Sequence, residues 1–484
     1  MKLTERGIAD THAWKGYALS KFDRAKMIAA TKKNPTWIHF GAGNIFRAFQ
    51  AMLAQELLEK NLTDTGIIVA EGFDFDIIDK AYRPYDNLSL LVTLKSDGSI
   101  TKTVAASVAE SYKCDPSFPD DWNALAEIFR SKSLALVTFT ITEKGYAVKD
   151  SDGNFLPAYC ADFEAGPDKA KMFLSRLCAL LYGRYLYADK HPVALVSTDN
   201  CSHNGEKLQA AVRAIAGEWQ KRGFVDEGFI DYISSPESVS FPWSMIDKIT
   251  PRPDAGVQAQ LKADGFEDAE IIVTDKHTYT ASFVNAESPQ YLVIEDAFPN
   301  GRPPLEKAGV YFTTRDTVNK VERMKVCTCL NPLHTALAIY GCLLGYTLIA
   351  DEMKDAELNT LIHRIGYDEG LPVVTDPKII DPKKFIDEVV TVRIPNPFMP
   401  DTPQRIACDT SQKLSIRFGE TIKAYAADPA LGTQKLKYIP LVLAGWCRYL
   451  MALDDEGKKF ELSPDPLLGR VCPFVEKIEL GRTY

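Results

Sequence analysis

Apolar and polar positions change their rhythm along the chain. Thr36–Phe40 (TWIHF) is a short β-rich run that stops at Gly41-Ala42-Gly43. A helical spacing follows from Ile45 to Leu58, with Phe46, Phe49, Met52, Leu53, Leu57 and Leu58 on the apolar side. A second β-rich run, Gly66–Ala70, is closed by Glu71-Gly72. Strand, glycine turn, helix and strand in this order predict a βαβ unit. Further strands are predicted at Leu88–Leu94, Leu134–Thr140 and Val193–Ser197, each followed by polar residues where a ligand could meet the strand's carboxyl end. From residue 300 the spacing becomes helical, over Leu333–Tyr346, Ala356–Ile365, Pro382–Val390, Lys413–Ala426 and Ile439–Leu453.

These elements predict an α/β fold: a Rossmann-like nucleotide-binding domain over residues 1–299, then a mostly α-helical domain over residues 300–484. The cleft between two such domains is the expected ligand site. Glycines in the first turn let the backbone approach a pyrophosphate, and the helix after it offers free N–H groups and the positive end of its dipole. The expected cofactor contacts are Gly41, Ala42, Gly43, Asn44, Ile45, Phe46 and Arg47. Glu71 ends the second strand, where a carboxylate accepts from the adenosine ribose hydroxyls, with Asp74 in reserve. An acid there disfavours a 2′-phosphate, so NAD is expected over NADP. The motif itself is short of the third glycine of GxGxxG, and the order of elements carries the reading.

Composition narrows the field. The 484 residues carry a formal net charge of -9, which argues against nucleic acid as the main partner. The N-terminus shows no apolar signal segment, and the apolar stretch Leu330–Ala350 is broken by Asn331, Pro332 and His334. It reads as a buried helix, not a membrane span. The ten cysteines are scattered, with no CxxC and no Cys/His ligand spacing, so no metal site is expected and a reducing, cytoplasmic setting fits.

One segment of the second half carries candidate chemistry: Glu322-Arg-Met-Lys325-Val-Cys-Thr-Cys-Leu-Asn331-Pro-Leu-His334. Met324, Val326 and Cys327 surround Lys325 with apolar groups, a setting suited to a lysine that serves as a base. Asn331 could donate to an oxyanion and His334 could orient a hydroxyl or ketone. The residues by themselves leave a blander alternative open, an interfacial lysine beside a helix-capping asparagine.

Taken in order, the motifs resemble the mannitol dehydrogenase family of polyol-specific long-chain dehydrogenases and reductases. The pieces are His39–Ala48 (HFGAGNIFRA), Thr142–Tyr146 (TEKGY), Asp199–Gly205 (DNCSHNG), Phe241–Pro251 (FPWSMIDKITP) and Val293–Asp296 (VIED). They continue through the Lys325 segment, Asn396-Pro397, Asp401–Ala407 (DTPQRIA) and Ser411–Leu414 (SQKL), so the resemblance runs from Trp37 to Phe418. It implies that Lys325 is general base in oxidation and general acid in reduction. It also implies that Asn200 and Asn331 form an oxyanion hole and that His334 positions the substrate oxygen. Asp247, Arg405 and Lys413 would contact the polyol or sugar-acid chain, with no zinc required. The sequence departs from the family pattern in two places: five residues separate Lys325 from Asn331 where four are expected, and Asn331-Pro332 replaces Asn-Gly. The extra residue is either absorbed as a bulge at the helix start or displaces Lys325 or Asn331. The leading expectation is a small-molecule hexuronate reductase that converts fructuronate to mannonate with NADH. The alternatives are a mannitol-type polyol 2-dehydrogenase and a sugar-binding relative without catalysis.

Overall fold

In the computed structural model, which describes residues 1–482, the chain divides into two compact units. The first comprises Met1–Leu94 with Ile100–Val318, and the second Lys95–Ser99 with Asn319–Tyr484. Fourteen strands occur among the described residues, beginning with β1 (Trp37–Phe40), β2 (Ile67–Glu71), β3 (Ser89–Leu94), β4 (Ile100–Ala105) and β5 (Val108–Lys113). They continue with β6 (Leu136–Phe139), β7 (Val193–Ser197), β8 (Val239–Ser240), β9 (Ser244–Asp247) and β10 (Ile271–Val273). The last are β11 (Tyr279–Ala281), β12 (Phe283–Glu287), β13 (Tyr291–Glu295) and β14 (Tyr311–Thr313).

Six of them form one sheet in the order β5-β2-β1-β6-β7-β8, with every neighbour pair parallel. This is the doubly wound dinucleotide-binding order, whose switch point lies between β1 and β6. The largely apolar sequences of β1, β2, β6 and β7, buried at every position, follow from burial on both faces. Along β1, Ile38 and Phe40 enter one core with Val137, Leu195 and Trp219, while Trp37 enters another with Val69, Leu136 and Val196. The period-two alternation of a strand thus feeds two apolar layers. His39, between them in sequence, is buried, and its ring nitrogens meet the hydroxyls of Thr138 (2.7 Å) and Thr140 (2.8 Å).

One expectation changes. The run Leu88–Leu94, grouped by pattern with the nucleotide-binding strands, forms β3, which lies in a separate sheet between β12 and β4. The strand beside β2 is instead β5, whose sequence VAESYK has polar positions because an edge strand is only partly covered. The division between units falls at Val318–Asn319, beyond the expected boundary at 299/300. The reason is that β13 pairs with both β9 and β14, which keeps the chain in the first unit past residue 311.

The second unit is helical. Its helices include Asn331–Leu343, Ala356–His363, Pro382–Glu388, Glu420–Ala427 and Tyr438–Tyr449. The run Arg315–Leu343 is continuous over 29 residues and, by length and composition, apolar enough to cross a membrane, but 72% of its most apolar window is buried within the fold. Burial of this kind is what a core helix shows.

Candidate active site

The glycine turn after β1 is shaped by close backbone packing. Gly41 has φ +109°, and a Cβ there would stand 2.1 Å from the Thr140 carbonyl oxygen, so no other residue fits. Its N–H donates to Ala70 O at 2.9 Å, locking the turn to β2. At Gly43 the space is open, since a Cβ would meet no atom within 4 Å. The short helix Asn44–Ala48 begins there, and the first N–H groups of a helix have no carbonyl of their own to bond. Gly43, Asn44 and Ile45 are partly exposed, whereas Gly41, Ala42, Phe46 and Arg47 are buried behind them. An open glycine face followed by unpaired amides fits the pyrophosphate of a dinucleotide.

The buried members hold this surface in place. Phe46 stacks on the His39 ring with centroids 4.5 Å apart. Arg47 donates to Ala281 O (2.6 Å), Thr280 Oγ1 (2.9 Å) and Asn44 Oδ1 (2.8 Å), tying the helix to β11. Glu71 was expected at the ribose, yet its carboxylate faces inward. Oε2 accepts from Ala42 N at 2.8 Å, and Oε1 accepts from Phe73 N at 2.8 Å and Asp74 N at 3.2 Å. Burial pushes the Glu71 carboxyl above its ordinary range, and these N–H bonds pull it back. Asp74 is buried too and accepts from the Thr274 hydroxyl at 2.6 Å. The geometry makes Glu71 a brace between the glycine turn and the end of β2.

Asn200 is exposed, on the turn that follows β7. Asp247 is buried at the end of β9. The turn after β6, Thr142–Tyr146, is bound to the Asn200 turn through Asp199, which accepts from Ile141 N (2.9 Å), Thr142 N (2.8 Å) and the Tyr146 hydroxyl. Thr142 sits at φ +65°, a strained value for a β-branched residue, and the Asp199 carboxylate holds it there. Tyr146, Asp199 and Asn204 were not singled out from sequence, although all three lie inside motifs recognised as family pieces.

In the second unit, Lys325 is buried and opens a π-helical turn, Lys325–Cys329, between the helices Arg315–Met324 and Asn331–Leu343. Leu330 N donates to Lys325 O at 3.1 Å, five residues back. The residue in excess between Lys325 and Asn331 is therefore taken up as a π-bulge, and the helical run continues. Asn331 and His334 lie on the first turn of the next helix, both partly buried. His334 Nε2 is 3.7 Å from Asp401 Oδ2, and Arg405 bonds the other Asp401 oxygen, so one carboxylate joins these two predicted residues. Burial pushes the His334 imidazole down to about 4; Asp401 opposes that, and Arg417, Arg405 and Arg393 reinforce it. The ring is neutral at physiological pH. Lys413 points its ammonium at the carbonyls of Cys408 and Ile406, and burial lowers its pKa.

Among the described residues, no group of three or more His, Cys, Asp or Glu side chains is placed to hold a metal ion. The chain matches the mannitol dehydrogenase Rossmann domain over residues 35–307 and the mannitol dehydrogenase C-terminal domain over residues 317–476. It belongs to the mannitol dehydrogenase family of oxidoreductases. A D-mannonate oxidoreductase of Thermotoga maritima is 54% identical over 485 aligned residues, covering 99% of this chain and 89% of that protein. Mannitol 2-dehydrogenase of Cereibacter sphaeroides is 30% identical, covering 87% of this chain and 82% of its own. Among solved structures, the ternary complex of Pseudomonas fluorescens mannitol 2-dehydrogenase with NAD and D-mannitol aligns with TM-score 0.72 at 27% identity, over 98% of this chain and 89% of that one. A substrate-free D-sorbitol dehydrogenase aligns with TM-score 0.79 at 26% identity, over 94% and 88% respectively.

Proposed function

We propose that the protein interconverts fructuronate and D-mannonate with NAD as hydride carrier and Lys325 as the proton-transferring group. The observation that carries this is the π-bulge at Lys325–Cys329, which keeps Lys325, Asn331 and His334 on one helical run despite the added residue. The substrate class rests on the 54% identity to the D-mannonate oxidoreductase.

A bound oxidised NAD would supply the hydride acceptor for oxidation, and bound NADH the hydride donor for reduction. Gly43, Asn44 and Ile45 would hold its pyrophosphate, with Gly41, Ala42, Phe46, Arg47 and Glu71 fixing the shape of that surface from behind. Lys325 Nζ takes the proton of the reacting hydroxyl in oxidation and returns it to the carbonyl oxygen in reduction. The side-chain amides of Asn200 and Asn331 donate N–H to the oxygen while it carries developing negative charge. A neutral His334 can give that oxygen one further N–H without adding a cation beside Lys325. Asp247, Arg405 and Lys413 are assigned to the substrate's hydroxyls and carboxylate.

The test follows NADH absorbance with fructuronate, tagaturonate, fructose, mannonate and mannitol, each with and without a chelator. Chelator-independent turnover of fructuronate and mannonate is expected. Lys325→Ala should lower kcat by about 10²–10⁴-fold. A Lys325→Ala enzyme with normal turnover would refute the lysine mechanism. Turnover confined to fructose and mannitol would move the substrate to neutral polyols.

A further inference from the structure

Asn204, the first residue of the helix Asn204–Lys221, is fully buried and makes more hydrogen bonds than a helix start requires. Its Oδ1 accepts from Gly205 N at 2.8 Å and from Ser244 N at 3.0 Å. Its Nδ2 lies 3.1 Å from each of Ser197 O, Asp199 O and Ser244 O, and 3.0 Å from Ser244 Oγ. The amide orientation is unambiguous, because backbone N–H groups face one end and carbonyl oxygens the other. Ser244 closes the circuit by donating from Oγ to Ser197 O at 2.5 Å.

The groups joined here are not neighbours in sequence. Ser197 ends β7, Asp199 stands beside Asn200, and Ser244 opens β9, the strand that finishes at Asp247. Packing leaves this junction no slack. A Cβ on Gly205 would stand 2.6 Å from Phe241 O and 2.8 Å from Pro242 O, and the His203 ring stacks on Trp243 with centroids 4.2 Å apart. Asp199 carries the linkage on to the Thr142 turn.

We propose that Asn204 is a positioning residue for the reaction: it holds the turn presenting Asn200 in register with the strand presenting Asp247. This rests on the reading that Asn200 and Asp247 meet the substrate. Buried, fully engaged polar networks fix one geometry because each broken bond leaves an unsatisfied group in a low-dielectric interior. A misplacement of about 1 Å at a reacting centre costs about 10²-fold in rate. Asn204 therefore acts on kcat through Asn200, and hydride transfer should feel its loss more than NAD binding does.

The experiment is a double-substitution cycle on the full chain with fructuronate and NADH, using Asn204→Ala, Ser244→Ala, Asn200→Ala and the combinations with Asn200→Ala. Kd for NADH by fluorescence and Tm accompany each variant. Tyr232→Phe, which removes a part-buried bond to His191 O elsewhere in the same unit, reports the effect of lost stability alone. Asn204→Ala and Ser244→Ala are each expected to lower kcat by about 10–100-fold with Kd for NADH changed less than about threefold. Added to Asn200→Ala, neither should slow the enzyme by more than about twofold, since the residue they position is gone. Fully additive losses, or a kcat loss matched by Tyr232→Phe at equal Tm, would overturn the positioning role. Should Asn204→Ala fail to fold, Ser244→Ala decides by the same criteria. If Asn200→Ala itself keeps the wild-type rate, the site assignment fails first and the positioning role goes with it; a slow Asn200→Ala with additive partners sinks the positioning role only.

Discussion

Glu352 is fully buried in the second unit, and neither of its carboxylate oxygens has a hydrogen-bond partner. It lies against the backbone of Gly341, where a Cβ would come 2.2 Å from Oε1. Burial lifts its carboxyl from 4.5 to about 9. The folded state thus keeps a proton that the unfolded chain gives up, so this contribution to stability is complete below the unfolded pKa and is lost as pH rises through the folded one. Glu352→Gln should raise stability by about 1–3 kcal/mol at about pH 8 and flatten the fall in Tm between about pH 6 and about pH 9. Parallel Tm–pH curves for the two proteins would show that Glu352 is already ionised in the fold. His334 has the opposite sign: its pKa is depressed, so its contribution is present above the unfolded value near 6.5 and lost as pH falls toward about 4. Neither effect is legible in sequence. A glutamate within Ile349–Glu352 reads as one more solvated helix charge until the neighbouring helix is seen over it.

Elements buried on both faces were the ones the pattern located well. β1, β2, β6 and β7 are close to their predicted bounds because largely apolar runs leave few alternatives for a short strand. β5 was missed because an edge strand mixes polar and apolar residues, and β3 was grouped with the wrong sheet because pairing partners are not written in a strand's own sequence. The glycine turn was found, but the inward direction of Glu71 was not, since carboxylate position depends on which backbone amides converge on it. The turn itself can be tested. Gly41→Ala combines a φ of +109° with a Cβ 2.1 Å from Thr140 O, so it must displace the β1 turn or the end of β6. A weakening of NADH binding by at least about tenfold is expected by fluorescence titration, a loss of about 1.4 kcal/mol or more. An unchanged Kd would remove this turn from the cofactor site.

At the scale of the whole chain, the first unit contains all fourteen strands found among the described residues, only the β3–β4 turn Lys95–Ser99 being grouped with the second, and every residue of the two apolar clusters that β1 enters belongs to the first unit. A fragment of residues 1–314, ending before the long helix, is therefore expected to fold and to bind NADH within about tenfold of the full chain while showing no hydride transfer. A fragment that stays unfolded by circular dichroism would show that the units are one cooperative structure. Two domains and their order were evident in the shift from strand to helix spacing. The division at Val318–Asn319 lies beyond residue 299 because β13 and β14, strands too short to mark a sheet in sequence, stay with the first unit. The π-turn at Lys325–Cys329 has a consequence of another kind. Each residue advances a helix by about 100°, so a one-residue surplus in a regular spiral would swing Asn331 and His334 away from Lys325, and the wide turn cancels that swing. The count of residues and the width of the turn are matched to one another, whatever side chains fill the turn. Removing one residue from Val326–Cys329 gives the four-residue spacing of the family and lets the helix close into a regular spiral with that phase kept. Such a deletion should retain most helical circular dichroism and far more turnover than Lys325→Ala; a loss as complete as that of Lys325→Ala would show that the wide turn itself places the lysine.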